Sequence, residues 1–460
     1  MAGSGAILSL HAIGKQDEYL SDLKGDPNNS FWKYNPVKHT DFSLYYRSLS
    51  VFPSTIGDQT WPFGQTVNFT LDPKTSGDVL ANAYIKLTLP ALVAPAQYCD
   101  QIGRALIKEY SFRVGDTILQ TMPGDWGIVH DELYSELSEK YAHRFMFNAG
   151  QAPTTLPTSG AATKPIPVYL PLNFFFSRFS TVLPGNWNNN AAVSPESELD
   201  SSFKPYFMLC ACTQQKITIS VTFNPVTYFS NAVSVSLTKM QLVTEEASLS
   251  KEEVNFYRNN RQTYVYNTVS KQPILRLDKG EGVKNATAAT PSGSPSEFRN
   301  FLVTNIPVKA MHWYFRDQRY EDLSSNVHYL NRFNYSSNPS ANMYQEFTNQ
   351  VMDYATIRLN GSQSLSLLGG AIGDYYKYVQ SDIHKFSTPS RNIYTYSFSL
   401  KPRDPNPTGS LNFGIMDSSK SVLEGRIKDA ATSNSYNMNM FYLGYMAIKY
   451  EHDFCSLVFT

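Results

Sequence analysis

The stretch "IYTYSFSLKPRDPNPTGSLNFG" at residues 393–414 decides the fold, because a regular alternation in it stops abruptly. From Tyr394 to Leu400, large apolar side chains occupy every second position, and Thr395, Ser397 and Ser399 fill the positions between them. Side chains alternate across a strand, so one face suits a core and the other suits solvent or a neighbour. Three prolines then follow before Thr408, and proline has no N–H for a ladder. The stretch predicts a strand, a rigid turn and a second strand.

Length and composition extend this prediction to the whole chain. A chain of 460 residues exceeds the roughly 250 to 300 residues at which single cores stop growing, so two domains are expected. Apolar residues make up 42% and charged residues 17%, and the chain has 30 Tyr and 28 Phe. Aromatic residues favour pleated, half-buried surfaces over long solvated helices. The fold class that this composition predicts is all-β.

The charge balance and the cysteine count exclude several classes of protein. Lys plus Arg equals 39 and Asp plus Glu equals 39, so no long-range field favours nucleic acid, and no direct nucleic-acid binding is predicted. Four scattered cysteines are too few for a disulfide framework, which favours a reducing compartment. The first residues carry no secretory signal, and the most apolar run is too short to span a bilayer, so we expect a soluble protein.

Short strand signals recur along most of the chain. "YIKLTLP" at 84–90, "ITISVTFNP" at 217–225 and "VSVSL" at 233–237 alternate, and "FCSLVFT" ends the chain on another strand. Asn360-Gly361 is the dipeptide that best supplies the two positive φ angles of a tight hairpin turn. Many short strands with turns between them indicate a sandwich or a barrel.

Helix signals are few. Apolar residues recur at helical spacing from Trp126 to Leu137, with Asp125 placed as an N-cap. Ser250 and Glu253 form a capping-box pattern for a short helix near mid-chain, and we place the domain boundary near residue 245. Three polar segments, at 150–165, 184–202 and 279–297, have the composition of exposed loops.

Side chains that could carry chemistry give no convincing site. His130, Asp131 and Glu132 are consecutive, so on a helix they fan around the axis, and we interpret them as a solvated helix face. Cys210 and Cys212 would share one side of a strand, but nothing nearby completes four zinc ligands, so buried free thiols are the preferred interpretation. No nucleophile elbow, metalloprotease or nucleotide-binding motif is present, so no enzyme activity, metal or cofactor is predicted.

Several ordered motifs of this chain resemble those of one protein family. "IYTYSFSLKPRDPNPTGSLNFGIMDSS" resembles the C-terminal signature of the major capsid proteins of nucleocytoplasmic large DNA viruses, of the iridovirus, phycodnavirus and marseillevirus type. Gly409, Asn412, Phe413 and Asp417 match that signature, while Gly414 stands where the family commonly has Ser. The resemblance spans nearly the whole chain apart from the three polar segments.

Further segments are similar to the family in the same order. "EYSFRVGDTILQTMPGDWGIVHDEL" contains Trp126, Glu132 and Leu133 at positions that recur in the family, and "NIPVKAMHWYF" contains a similar run. The matched residues of that second run are Pro307, Val308, Lys309 and Trp313. "AIGKQDEYL" looks like the family's N-terminal segment, in which the assembly candidates are Gly14, Gln16, Asp17 and Tyr19.

The resemblance implies a double jelly roll, two eight-stranded antiparallel sandwiches in tandem with a few short helices and long surface loops. It implies an N-terminal arm at 1–30, a first jelly roll at 31–244 and a second at 245–460. A structural capsid protein of this type forms homotrimeric, pseudo-hexameric capsomers that tile an icosahedral shell in the virion. Its implied partners are copies of itself and minor capsid and cement proteins, near an internal membrane but not inserted, with assembly in the host cytoplasm.

Two alternatives keep the same scaffold, because a fold does not fix a function. One is a jelly-roll carbohydrate-binding module. The other is a scaffold or minor capsid homologue.

Overall fold

The computed structural model of the chain describes residues 40–53, 59–93, 95–99, 101–147, 165–177, 206–278, 297–324, 327–337, 349–363, 371–404, 406–428 and 434–458. These residues contain 21 strands in four antiparallel sheets, which pair into two sandwiches. The predicted N-terminal segment lies outside the described residues, as do the three polar segments except for Pro165 and Glu297.

The first sandwich is built from nine strands. Their bounds are β1 Phe42–Val51, β2 Thr66–Leu71, β3 Val79–Leu89, β4 Ile107–Val114, β5 Thr117–Pro123, β6 Ile166–Pro171, β7 Phe207–Met208, β8 Ile217–Phe223 and β9 Met240–Leu249. One sheet has the order β1-β9-β3-β6, with β7 beside β3, and the other has the order β2-β8-β4-β5.

The second sandwich is built from the remaining twelve strands in the described residues. Their bounds are β10 Gln262–Lys271, β11 Leu275–Leu277, β12 Glu297–Phe301, β13 Pro307–Asp317, β14 Met352–Leu359, β15 Ser362–Gln363, β16 Ala371–Ile372, β17 Ile393–Ser397, β18 Leu411–Asn412, β19 Val422–Ile427, β20 Tyr436–Glu451 and β21 Phe454–Leu457. One sheet has the order β10-β20-β13-β17, extended by β11, β18 and β21, and the other has the order β12-β19-β14-β15, with β16 beside β14.

The two sandwiches have the same topology. When the short added strands β7, β11, β16, β18 and β21 are left aside, each sandwich has eight strands. In both, the first strand pairs with the eighth, the eighth with the third and the third with the sixth, while the other sheet runs 2-7-4-5. Two four-stranded sheets connected in this order form a jelly roll. The predicted all-β double jelly roll is therefore confirmed.

Short helices connect the strands. Their bounds are α1 Ile102–Leu106, α2 Trp126–Leu133, α3 Leu137–Met146, α4 Val226–Phe229, α5 Lys251–Asn259 and α6 Gln380–Ile383, with a π-helix at Tyr375–Val379 and 3-10 turns at Leu209–Ala211, Gln318–Tyr320, Tyr329–Asn331 and Phe413–Ile415. The helix predicted from Trp126 to Leu137 is two helices, because the chain turns between Leu133 and Leu137. The mid-chain helix starts as predicted, with the Ser250 hydroxyl accepting a hydrogen bond from the backbone N–H of Glu253 at 3.4 Å.

Alternation in the sequence correctly predicts which side chains of these strands are buried in the cores. The odd positions of β8, from Ile217 to Phe223, are all buried, and Ile85, Leu87 and Leu89 of β3 face the same core. At the predicted hairpin, Asn360 has φ 50° and Gly361 has φ 83°, and Leu359 pairs with Ser362. These local patterns are fulfilled because a two-residue turn and a half-buried strand are decided by neighbouring residues.

The sheet containing β10, β20, β13 and β17, called here the shared sheet, contributes to both cores. On β13, Trp313 and Phe315 belong to the core of the second sandwich, while Tyr314 between them packs in the core of the first. On β20, Met440 and Phe441 divide in the same way. The shared sheet is therefore buried on both faces, like the sheets of proteins in which a further layer covers each face.

Predictions for three strands need correction. The strand predicted from Tyr394 to Leu400 ends at Ser397. Its polar face meets a neighbour, which was one of the two predicted possibilities, and Thr395 on that face is fully buried. The strand after the proline turn is only two residues long, because the chain turns into a 3-10 helix at Phe413. "VSVSL" is not a strand: it runs beside Trp61, whose carbonyl accepts from the N–H of Leu237.

Candidate functional site: the seam between the sandwiches

Helix α2 is inserted between the two sandwiches. Its first residue, Trp126, is buried, and its ring lies 5.7 Å from the His312 ring and 5.8 Å from the Phe441 ring, both on the shared sheet. At the other end of α2, the carbonyl of Leu133 accepts a hydrogen bond from the N–H of Ser387 at 2.8 Å. We call this contact between α2 and the shared sheet the seam.

Glu132 joins α2 to the second sandwich. Its carboxylate accepts from the N–H and the hydroxyl of Ser390, both at 2.8 Å, and lies 3.6 Å from the Arg391 guanidinium. Glu132 and Arg391 are both buried. The prediction of a solvated face for residues 130–132 is therefore wrong, because the second sandwich covers this side of the helix.

Asp131 points from α2 toward the first sandwich. Arg104 of α1 donates two hydrogen bonds to its carboxylate, each 2.7 Å long, in the bidentate geometry that fixes both groups. Burial alone would raise the pKa of the Asp131 carboxyl, but Arg104 and the neighbouring His130 and His143 outweigh burial and hold it well below its usual range. The three consecutive residues thus serve different partners, and within the described residues no group of three metal-type side chains could hold a metal ion.

Asp125 sits at the N-cap position of α2 as predicted, but its function there is different. Within the described residues its side chain makes no capping hydrogen bond. Instead it accepts from Arg316 at 3.0 Å and Lys271 at 3.1 Å, two residues of the second sandwich. Burial opposes the charge, yet these two cations outweigh it and hold the pKa of the Asp125 carboxyl well below its usual range. The three side chains line a cleft of about 630 Å³ between the sandwiches.

Tyr134 and His312 form the polar centre of the seam. The Tyr134 hydroxyl and the Nε2 atom of His312 share a hydrogen bond of 2.8 Å, and both side chains are buried. Burial, reinforced by the nearby charge of Lys309, lowers the pKa of His312 to about 3. The imidazole is therefore neutral at physiological pH, which suits a position between two aromatic cores.

Lys309 ties the proline-rich turn to the shared sheet. Its ammonium donates to the Asn267 Oδ1 atom and to the backbone carbonyl of Asp404, both at 2.8 Å, and lies 5.1 Å from the centre of the Tyr445 ring. The side chain is fully buried, and burial lowers its pKa to about 7. The turn that interrupts the opening stretch is thus fixed by a buried cation as well as by its prolines.

The other residues matched to the family lie in the second sandwich, away from α2. Pro307 and Val308 pair with Asn412 and Leu411, and Trp313 and Phe413 are buried in the second core. Gly409 has φ 132°, which favours glycine at the end of the turn. The N–H of Asp417 donates to the Asn360 side chain at 2.9 Å and so links the signature to the predicted hairpin. Gly14, Gln16, Asp17 and Tyr19 lie outside the described residues.

The cysteines are buried free thiols, as predicted, but Cys210 and Cys212 do not share a strand. Cys210 is in a 3-10 turn and Cys212 follows it. Burial raises the pKa of Cys210 to about 12 and that of Cys212 well above its usual value. Thiols with such pKa values are inert at neutral pH.

Sequence reasoning missed a fully buried arginine that joins the two sandwiches beside the seam. Arg332 donates to the carbonyls of Tyr320 at 2.6 Å and Tyr228 at 3.0 Å, so it joins a turn of the second sandwich to α4 of the first. It is fully buried. One acceptor, the carbonyl of Tyr228, is 104 residues away in the sequence, and the other, that of Tyr320, lies in a different turn. No local pattern marks such an arginine, because backbone carbonyls are available next to every residue.

Comparisons with known proteins agree with this architecture. The family model described as "Large eukaryotic DNA virus major capsid protein" matches residues 208–448, and the model "Major capsid protein N-terminus" matches residues 30–266. The major capsid protein of Pyramimonas orientalis virus is 22% identical over 446 residues, which cover 92% of this chain and 92% of that protein.

Solved structures show the same fold. A chain of the PBCV-1 virus capsid is similar with a TM-score of 0.68 and 17% identity, over 94% of this chain and 100% of that one. The Faustovirus major capsid protein has a TM-score of 0.60 and 11% identity, over 90% of this chain and 91% of that one. Within the described residues, no helix combines the length and apolar character needed to cross a bilayer.

Removing the Glu132 carboxylate should destabilise both sandwiches together. Glu132→Ala leaves the buried Arg391 and Ser390 without their acceptor, which should cost about 3 kcal/mol of unfolding free energy. We expect calorimetry to show one transition at a lower temperature, because the shared sheet keeps the two cores coupled. The control is Glu297→Ala, an exposed carboxylate on β12, which should unfold like the wild type. A single, unshifted transition in Glu132→Ala would contradict the assigned coupling.

His312 should make stability fall in acid. Its folded pKa of about 3 lies below the unfolded value near 6.5, so between these pH values only the unfolded chain binds the proton. Stability is therefore lost as pH falls through this window, by up to about 1.4 kcal/mol per pH unit. Urea midpoints from pH 7.5 to 5 should fall more steeply for the wild type than for His312→Gln. If the midpoints of both proteins fell with pH at the same slope, His312 would have to bind its proton in the folded protein within this pH range.

Proposed function

The chain belongs to the family of large eukaryotic DNA virus major capsid proteins, and on this premise we propose that three copies of it form one pseudo-hexameric capsomer. As a member of that family it is a structural component of the virion capsid. The proposal concerns how this chain builds the shell: trimers form first, and trimers then tile an icosahedral lattice.

The observation that carries the proposal is the pair of topologically identical sandwiches joined by a buried seam. Three copies of a two-sandwich chain present six similar units around one axis, which produces a six-sided outline from a threefold assembly. A six-sided outline requires a fixed angle between the two sandwiches. The shared sheet and the contacts of Glu132, Asp125 and Arg332 supply that rigidity.

The segments of the chain have separate places in the capsomer, and the capsomer has further partners in the shell. Residues 1–30 form an arm near the base of the capsomer or between neighbours, and the polar segments at 150–165, 184–202 and 279–297 lie on the outer face. The two jelly rolls divide after Leu249 and not at the expected boundary of 244/245, since β9 ends at Leu249 and pairs with β1. Minor capsid and cement proteins join the capsomers, which lie near an internal membrane without inserting into it. Assembly takes place in the host cytoplasm. Contacts between capsomers can be individually weak, because many neighbours hold each one.

Native mass tests the trimer directly. Light scattering coupled to gel filtration should give a species of three times 51.8 kDa that persists through a dilution series. Negative-stain images of that species should have a six-sided outline. A monomer at every concentration would overturn the trimer proposal while leaving the fold unchanged.

The N-terminal arm is tested by its removal. Deleting residues 1–25 should leave the trimer mass and the thermal midpoint unchanged, because the first strand in the described residues begins at Phe42. Shell assembly should be impaired, as measured by the yield of closed particles on co-expression with the other capsid proteins. Normal particle yield from the truncated chain would contradict the role assigned to the arm.

A further inference from the structure

Strand β1 is an edge strand without the usual protection. In the part of the chain that the structure describes, β9 is the strand that pairs with it, in continuous register from Phe42 to Val51 and without a bulge. Its sequence, "FSLYYRSLSV", contains no Lys, Pro or Gly, and its single Arg47 donates to Ser76 at 2.7 Å. Soluble proteins normally blunt such edges with charge, proline or bulges. An edge strand of this kind favours contact with another surface.

The outward face of the same sheet carries three tyrosines together with Lys86. Tyr46 on β1 has 67% of its side chain exposed, and Leu44 beside it has 45%. Two strands further along the sheet, the Tyr84 ring lies 6.3 Å from the Tyr169 ring of β6. Tyrosine gives large contact area at low entropic cost and is enriched at binding hot spots. We call Leu44, Tyr46, Tyr84 and Tyr169 the tyrosine face.

The size of the tyrosine face suits a protein partner. Ten residues of β1 span about 33 Å, and four strands spaced about 4.8 Å apart are about 14 Å wide between outer axes. The resulting area of about 460 Å² is a little over half of the roughly 800 Å² per partner of a stable interface, so the tyrosine face would form the larger part of the contact.

The second sandwich carries a different exposed apolar surface. Val379 and Ile383 are four residues apart on consecutive helical turns that pack beside β17, and both are exposed. Leu400, 83% exposed, lies next to them, because its backbone hydrogen-bonds to His384. We call these three residues the Ile383 patch. A closed ring of identical copies needs two different surfaces on each chain, since the contact repeats head to tail.

We propose that the tyrosine face of one copy docks on the second sandwich of the next copy, at the Ile383 patch. This inference rests on the trimer proposed above and names the surfaces that hold it. The zero net charge of the chain leaves no overall repulsion between copies. Apolar burial supplies the affinity.

Lysine substitutions test both surfaces. Leu44→Lys and Ile383→Lys each bury a charge in the proposed contact. The trimer of each variant should therefore dissociate at a protein concentration at least tenfold higher than the concentration at which the wild-type trimer dissociates. The matched control is Ile118→Lys on β5, where Ile118 is 44% exposed and Leu44 is 45% exposed, and it should behave like the wild type. Dissociation is read from light scattering across a dilution series, and folding from circular dichroism.

The outcomes separate this inference from the trimer proposal. A wild-type trimer that Leu44→Lys and Ile383→Lys leave intact at every dilution would overturn the inference and preserve the trimer. A wild-type monomer would overturn both.

A labelling experiment covers the case in which a lysine variant does not fold. The four native cysteines are buried, so Tyr46→Cys adds a single accessible thiol. A maleimide should label it slowly in the trimer and rapidly in the diluted monomer. Rapid labelling in both states would show that the neighbouring copy does not cover this position, and would overturn the inference. Slow labelling in both states would mean that the same chain covers the position, which would also overturn the inference.

Discussion

The burial of the shared sheet on both faces is the constraint on which the rest of this structure depends. A sandwich sheet that faced water on one side would alternate apolar and polar residues, but β13 and β20 carry large side chains on both faces. Trp313 packs in one core and Tyr314 in the other, so neither sandwich can complete its packing alone. The two jelly rolls therefore behave as one body, with a fixed relative orientation.

A sheet buried between two cores also explains why the carboxylates beside it are paired with cations. A buried charge costs several kcal/mol unless it is compensated. Asp125 meets Lys271 and Arg316, Glu132 meets Arg391, and Asp131 meets Arg104. Such pairs add directional contacts that apolar packing lacks, so they fix the angle at which the sandwiches meet. His312 avoids the same cost by remaining neutral.

A rigid pair of sandwiches is a suitable building unit for a shell, because one chain then contributes two units of the same topology. The halves share one topology, although no repeat is visible in the sequence, because a jelly roll can be specified by many different alternating patterns. The exposed surfaces of the halves differ, with an aromatic sheet face on one and a helical apolar patch on the other. Different surfaces on the two similar sandwiches allow head-to-tail contacts between copies that close a ring.

The sequence by itself determined the features that depend on neighbouring residues. Alternation located β3 and β8 and their buried faces, Asn360-Gly361 located a hairpin, Ser250 located a helix start, and the ordered motifs indicated the family. Tertiary structure alone decided what covers each face. His130 and Glu132 are helical as expected but buried, Asp125 binds cations from the other sandwich instead of capping, and "VSVSL" alternates but does not pair as a strand. Periodicity tells which side chains point together, whereas burial and ion pairing depend on residues nearly two hundred positions away, such as Arg316 for Asp125, which only the folded chain brings into contact.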